Sequence, residues 1–252
     1  MNRLRLVTDA FVGVTETFGA SVDPLVLAER LVGHCVRLTG AGAAGLMMIT
    51  ARGRLRTVAV SDERAEVLEM LQLQTGEGPC VDCWRTGAAV EAPDLPAQAD
   101  RWPQFVILAR EAGFRGAYAV PVQVHEQQVG ALNLLVDAPG TLSADDIALV
   151  TALAGVAVTA MMQWRSDPAR PSDILTRIQS VISAKASLET ALGMLAAGGG
   201  LTIAEAARTL RDYSRRGGIR PAAAAQSLLS RDLGLDEVLA AAPDGSRADP
   251  AS

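Results

Sequence analysis

Aromatic residues make up only 4% of this 252-residue sequence, so a core has to be built chiefly from Ala, Val and Leu. Histidine occurs twice, at His34 and His125. With so few, no Ser-His-acid arrangement can be justified, and no pair of carboxylates is spaced for acid–base work. Catalysis is not expected, nor is a cofactor. Three cysteines, an odd number, do not describe a disulfide scaffold in a chain this long. No stretch offers 18 apolar residues free of charge or strong polarity; "IALVTALAGVAVTAMM" (147–162) comes nearest. Flanked by "SADD" and "QWRSD", it reads as a buried or dimer-packed helix. The start, "MNRLRLVTDAFVG", lacks the apolar core of an export signal. A cytoplasmic protein without membrane contact is expected.

What is present is a 49% apolar chain, long enough for one to two domains. The formal charge of -5 is unevenly spread. Residues 1–170 hold 14 basic and 19 acidic residues, residues 171–235 hold 8 and 5, and residues 236–252 hold 1 and 4. Only the middle segment, at +3, would draw an anionic partner.

Along the first part, "DPLVLAERLVGHCVRLTG" (23–40) has helical spacing, with Pro24 at its start and Gly40 at its end. "AAGLMMIT" and "RLRTVAVS" read as strands around a turn at Ala51–Gly53. "DERAEVLEMLQLQTG" is a helix ending at Gly76, with Ser61 as a natural N-cap. "AAVEAPD" is a short strand, "WPQFVILAREAG" a helix and "GAYAVPVQVHEQQVGALNLLVD" a hairpin. "LSADDIALVTALAGVAVTAMMQW" is a long helix capped by Ser143, with Asp145 and Asp146 expected in solvent. This order suits a central antiparallel sheet with helices on one side.

Between the third helix and the short strand lies "LQTGEGPCVDCWRTG" (73–87). Pro79 can start a helical turn that places Cys80, Cys83 and Trp84 on nearby faces. The Cys-x-x-Cys spacing invites a metal or redox reading. Cys35 is the only other cysteine, however, and no second ligand pair exists. Buried structural or pocket-lining cysteines are expected instead. "GAGAAG" (40–45) precedes a strand rather than following one, so it lacks the helix N-terminus of a phosphate-binding loop.

In the second part, Ile178, Val181, Lys185, Leu188, Leu192 and Leu195 fall in one stripe of a helix over 172–197. The near-heptad spacing from 181 to 195 suits pairing with a symmetry mate, so a homodimer is expected. Glycines 198–200 break that helix. Thr202 and Glu205 then form a Thr-x-x-Glu capping box for the next one, on which Arg208, Arg211, Arg215 and Arg216 gather toward the C-terminal end. A third helix begins near Pro221.

Two sets of motifs carry a family resemblance. "GEGPC" (76–80), "RWP" (101–103) and "GALNL" (130–134) resemble the GAF domains of actinobacterial GAF-ANTAR regulatory proteins over roughly residues 20–165. Ala191, Leu192, Gly193, Leu195, Thr202, Glu205, Ala206, Leu210, Arg211 and the "SRRGG" corner resemble an ANTAR domain over about 172–232. Leu192 stands where that family has lysine, and Gly217-Gly218 where it commonly has a polar residue. The resemblance implies an α/β sensor domain followed by an all-α, three-helix RNA-binding bundle, acting in transcription antitermination on structured RNA hairpins. The implied organisation is an N-terminal helix or arm (1–22), a GAF-like domain (23–166), a linker (167–171), an ANTAR-like domain (172–235) and a disordered tail (236–252). Contacts to RNA would fall to Lys185, Arg208, Arg211, Tyr213, Arg215, Arg216 and Arg220, arginine serving both phosphates and splayed bases. Cys80, Trp84, Trp102, Phe105 and Tyr118 would line a pocket for an unidentified small molecule, or fill the core beneath the loops.

Overall fold

The computed structural model describes residues 2–15, 23–124, 126–140, 142–162 and 174–240. His125, the 167–171 linker and the 241–252 part of the expected tail lie outside these residues. The chain divides into two compact units, Met1–Ile182 and Ser183–Ser252.

In the first unit, Asp23 caps helix α2 (Pro24–Thr39) by accepting the Leu25 N–H at 3.0 Å, and Gly40 ends it in the left-handed region. Strand β1 (Ala43–Ile49) follows, then β2 (Leu55–Val60) and helix α3 (Glu63–Thr75). The cap of α3 is Asp62, which accepts the Arg64 N–H. Ser61, expected in that role, instead accepts the Ala44 N–H of β1 at 2.8 Å. Helix α4 (Pro79–Thr86), strand β3 (Val90–Ala92) and helix α5 (Pro103–Glu111) lead to the long hairpin of β4 (Gly116–Val124) and β5 (Gln127–Val136). The sheet is antiparallel throughout, in the order β2-β1-β5-β4-β3.

Helices cover both faces of this sheet, not one as the element order suggested. Helix α1 (Arg3–Thr15), α2 and α6 (Ala144–Met162) pack together, α2 against β1 and α6 against β4. On the opposite face α3, α4 and α5 enclose a core that includes Met47, Leu68, Trp102, Phe105 and Phe114. The physical reason is visible in β5, whose last eight residues are buried without alternation. A strand buried on both faces needs a layer on each side. Helix α6 is long and apolar enough by composition to cross a membrane, but here it packs on β4, α1 and α2. Asp146, expected in solvent, is buried at its start. There it exchanges bonds with Ser143 and pairs with Arg3.

The second unit is built from the later part of α7 (Ile174–Gly199), α8 (Ile203–Gly217), α9 (Pro221–Ser230) and a short α10 (Leu235–Leu239). Its core gathers Leu195, Ala206, Leu210, Ala225, Leu228 and Val238. Thr202 and Glu205 complete the expected capping box in both directions. Two expectations change. Only Gly200 takes a left-handed conformation (φ 63°), while α7 runs through Gly198 and Gly199. Those two are small because Leu235 and Leu239 of α10 occupy the space a Cβ would need. Residues 236–239, expected as tail, are helical, and Val238 is fully buried. Along the α7 stripe, Ile178 and Val181 are buried, Leu195 belongs to the helical core, and Leu188 and Leu192 pack against it.

Candidate functional site

The α3-facing side of the sheet holds a polar cluster inside an apolar core. Ala131 and Leu135 belong to that core, and the pleat places Asn133 between them on the same face. Asn133 is opposite Gly45 on β1 and Ala119 on β4. Gly45 has no side chain because the slot is taken: a Cβ there would collide with the carboxylate of Glu69. Glu69 therefore reaches down from α3 beside Asn133, directly opposed positions lying about 5 Å apart. Its Oε2 accepts the Thr57 hydroxyl at 3.3 Å.

One turn along α3, the Oε1 of Gln72 accepts the Cys80 backbone N–H at 2.9 Å, satisfying a donor in the first turn of α4. Gln72 lies so close to Gly78 that a Cβ there would come within 2.5 Å of Oε1, and Gly78 holds φ 125°, a conformation favouring glycine. Glu69, Gln72 and Asn133 are all fully buried. The Gln72 Nε2 and both polar atoms of the Asn133 side chain lack hydrogen-bond partners.

The covering segments are tied down by polar contacts. Asp82 on α4 accepts from the Trp102 indole at 3.0 Å and pairs with Arg101 at 2.9 Å. Glu77 accepts the Gln104 backbone N–H at the start of α5, and Gln128 of β5 donates to the Cys83 carbonyl.

Of the residues expected to line a pocket, Cys80, Trp102 and Phe105 are buried in this core, and Trp84 packs against it half-buried. Tyr118 is not with them. Ala117 and Ala119 face this side, so alternation turns Tyr118 to the other face, where burial, then the Glu91 charge, raises its pKa against a backbone bond at Leu142. Burial pushes the Cys83 thiol to about 12 and Cys80 well above the usual thiol range, with Glu69 and Cys83 adding to the latter. Such thiols are poor nucleophiles. Among the described residues no group of three or more His, Cys, Asp or Glu could hold a metal ion.

Sequence reasoning missed Glu69, Gln72 and Asn133. The signals were an asparagine within the apolar "ALNLLV" and an α3 with no clear apolar face. That helix turns Glu69 and Gln72 inward while Val67 and Met70 remain 52% exposed.

In the helical unit, Ala206, Leu210 and Ser214 of α8 face inward. Arg208, Arg211 and Arg215, spaced by three residues and then four, follow one another along the outer surface. Arg208 approaches Glu205 at 4.0 Å and Arg215 pairs with Asp212, yet their side chains stay 61% and 77% exposed. Arg216 is exposed in the last turn, and Arg220 is the half-buried N-cap residue of α9. Lys185 sits on α7, only 19% exposed, 3.5 Å from Glu189. The Tyr213 ring packs against the helical core and its hydroxyl donates to Glu237 at 2.8 Å. Leu192 also packs there, half-buried.

A five-stranded antiparallel sheet enclosed by helices, with a polar cluster beneath α3 and α4, defines a sensor-type domain. Residues 21–162 match the GAF domain family, and with more than half the chain matched, the protein belongs to that family. Residues 21–162 are thus a signal-sensing or regulatory module. No curated protein matches the chain. Among solved structures it is similar to the GAF domain of a phosphoenolpyruvate-protein phosphotransferase from Coxiella burnetii, at 17% identity over 62% of this chain and 91% of that one, with a TM-score of 0.49. The corresponding Acinetobacter domain is 16% identical over 64% and 96%, with a TM-score of 0.48. A free methionine-R-sulfoxide reductase from Neisseria meningitidis is 13% identical over 72% and 91%, with a TM-score of 0.44.

Proposed function

We propose that the chain is a cytoplasmic, homodimeric, non-catalytic regulator. Its GAF domain senses a small molecule, and its helical unit binds structured RNA hairpins to prevent transcription termination. The observation that carries the RNA reading is the exposed run of Arg208, Arg211 and Arg215 on α8, opposite that helix's buried face. Guanidinium groups meet phosphate bidentately and stack on splayed bases, and the surface pairs with Glu205 and Asp212 hold them only weakly. Burial of Cys80 and Cys83 supports the absence of a catalytic thiol. The test is titration of the full chain with a stem-loop RNA at low salt, repeated with Arg208, Arg211 and Arg215 all changed to alanine. Binding by the parent and its loss in the triple variant are expected; no binding by the parent at low salt would overturn the reading.

A second reading is favoured by Leu192: a helical unit that has lost RNA binding and serves dimerisation or protein interaction. Because Leu192 packs on the helical core, Leu192→Lys is expected to cost about 1–2 kcal/mol of stability. It distinguishes the readings by RNA affinity. A gain of binding from a non-binding parent supports the second reading, whereas a parent that already binds sets it aside.

A further inference from the structure

The structure assigns a second phosphate-binding surface to the β1–β2 hairpin, where Arg52, Arg54 and Arg56 hold the backbone of the bound RNA. This deepens the RNA-binding half of the function proposed above and rests on it.

The average charge of residues 1–170 conceals this surface. Between Glu29 and Asp62 the sequence holds no acidic residue, yet three arginines fall within positions 52–56. The turn that presents them is closed by its own backbone. The Gly53 N–H donates to the Thr50 carbonyl at 2.9 Å, with Gly53 at φ 75°, and the Thr50 N–H donates to the Arg54 carbonyl at 2.7 Å. The Arg54 N–H donates to the Thr50 hydroxyl oxygen at 3.1 Å, and the Ala51 N–H to the Gln179 side-chain oxygen of α7 at 3.3 Å. All three arginines are exposed, on this fixed turn and on the edge strand that leaves it. Leu55 lies in the α3-side core. Alternation therefore sets Arg54 and Arg56 together on the opposite face, about 7 Å apart.

Elsewhere in the first unit Arg3, Arg64, Arg85 and Arg101 each meet a carboxylate. Among the described residues no carboxylate pairs with Arg52, Arg54 or Arg56. Across the ladder Arg54 faces Thr50 and Arg56 faces Met48, both neutral. Three neighbouring cations repel one another, and one charge is enough to guard a sheet edge against pairing. The surplus suits a partner with repeated negative charges. Arg54 and Arg56 are separated by a step comparable with that between successive phosphates of a nucleic-acid strand, and each guanidinium can meet one bidentately. Arg52, at the tip, reaches a third. An anionic membrane fits less well. The tip residues Ala51, Arg52 and Gly53 offer no large apolar side chain for insertion, and residues 1–170 are otherwise strongly acidic, which opposes a broad anionic surface.

The full chain is titrated with the stem-loop RNA from about 50 to 200 mM salt. The parent is compared with the α8 alanine variant, with Arg52→Gln/Arg54→Gln/Arg56→Gln, and with the same three positions changed to lysine. The Gln variant is expected to bind at least about tenfold more weakly and to flatten the slope of log affinity against log salt by about two to three. The Lys variant keeps the charge and is expected to keep the slope; flattening equal to that of the Gln variant would overturn the proposal. An unchanged slope in the Gln variant overturns it too, and leaves the RNA reading standing if the α8 variant has lost binding. Loss in the Gln variant alone supports the hairpin and removes the α8 surface. A parent that does not bind at low salt overturns both. Self-association of the Gln variant with its slope unchanged would mean edge protection only. Sedimentation of the parent with phosphatidylserine vesicles, abolished in the Gln variant while its RNA slope is unchanged, would mean a lipid surface; either result overturns the proposal. Should the Gln variant not stay soluble, Arg52→Gln/Arg54→Gln, with both changes outside β2, decides the matter. Flattening by about two supports the surface, and none refutes it.

Discussion

At the scale of single residues, His34 illustrates how burial turns into a pH response. It lies on α2 beneath Gly13 of α1, where an added Cβ would come within 2.7 Å of its Nε2. Partial burial lowers its pKa; Arg37 and Arg30 lower it further, and Asp9 opposes them. The native state therefore takes up the proton less readily than the unfolded chain. Stability from this group is complete above the unfolded value of about 6.5 and is lost as pH falls through it toward the folded value. Urea denaturation between about pH 7.5 and pH 5.5 is expected to show falling stability in the parent and a smaller fall in His34→Gln. Asp62, Asp146 and Glu205, all with lowered pKa, lose their contributions only in more acid solution. The raised thiols lose theirs only in alkali. Tyr118 shows the limit of reading residues without a register. Its aromatic character suggested a pocket, but only the pairing of β4 with β5 reveals which face it occupies.

At the scale of elements, legibility followed periodicity. Where spacing, caps and turn residues agreed, as in α2 with Asp23, Pro24 and Gly40 or α8 with its capping box, the sequence and the structure coincide to within a residue. Helix α3 was also read as a helix ending at Gly76, as found, but its inward face was not legible, because Glu69 and Gln72 point to the core and leave no clean apolar stripe. Short α10 was missed for a different reason. Five residues carry too little periodicity to separate a helix from a tail. Its packing is nonetheless substantial: Leu235 and Leu239 rest on the Gly198–Gly199 surface and Val238 is fully buried. Val238→Asp places an unpaired charge in the helical core, and a loss of about 3 kcal/mol is expected. Amide hydrogen exchange in α8 measures it directly, with protection falling across that helix.

At the scale of the whole molecule, charge is segregated more sharply than the net of -5 suggests. RNA binding, if driven by the α8 arginines, carries a salt signature. The slope of log affinity against log salt is expected to flatten by about one for each phosphate-contacting arginine removed. A uniform slope across the alanine series would say that these side chains do not touch phosphate. The two units have separate apolar cores, one around Trp102 and Phe105 and one around Leu195 and Leu210. The continuous burial of β5 was written in its composition, but the second helical layer that it requires became visible only once strands were ordered in the sheet.

The three cysteines have a further use. Cys35 lies buried under the α2 layer, and Cys80 and Cys83 lie buried on the opposite side of the sheet, all as free thiols. None is accessible to an alkylating reagent until its own layer opens. Their labelling rates are therefore two independent clocks for breathing of the sensor domain, one for each side, already installed in the native chain.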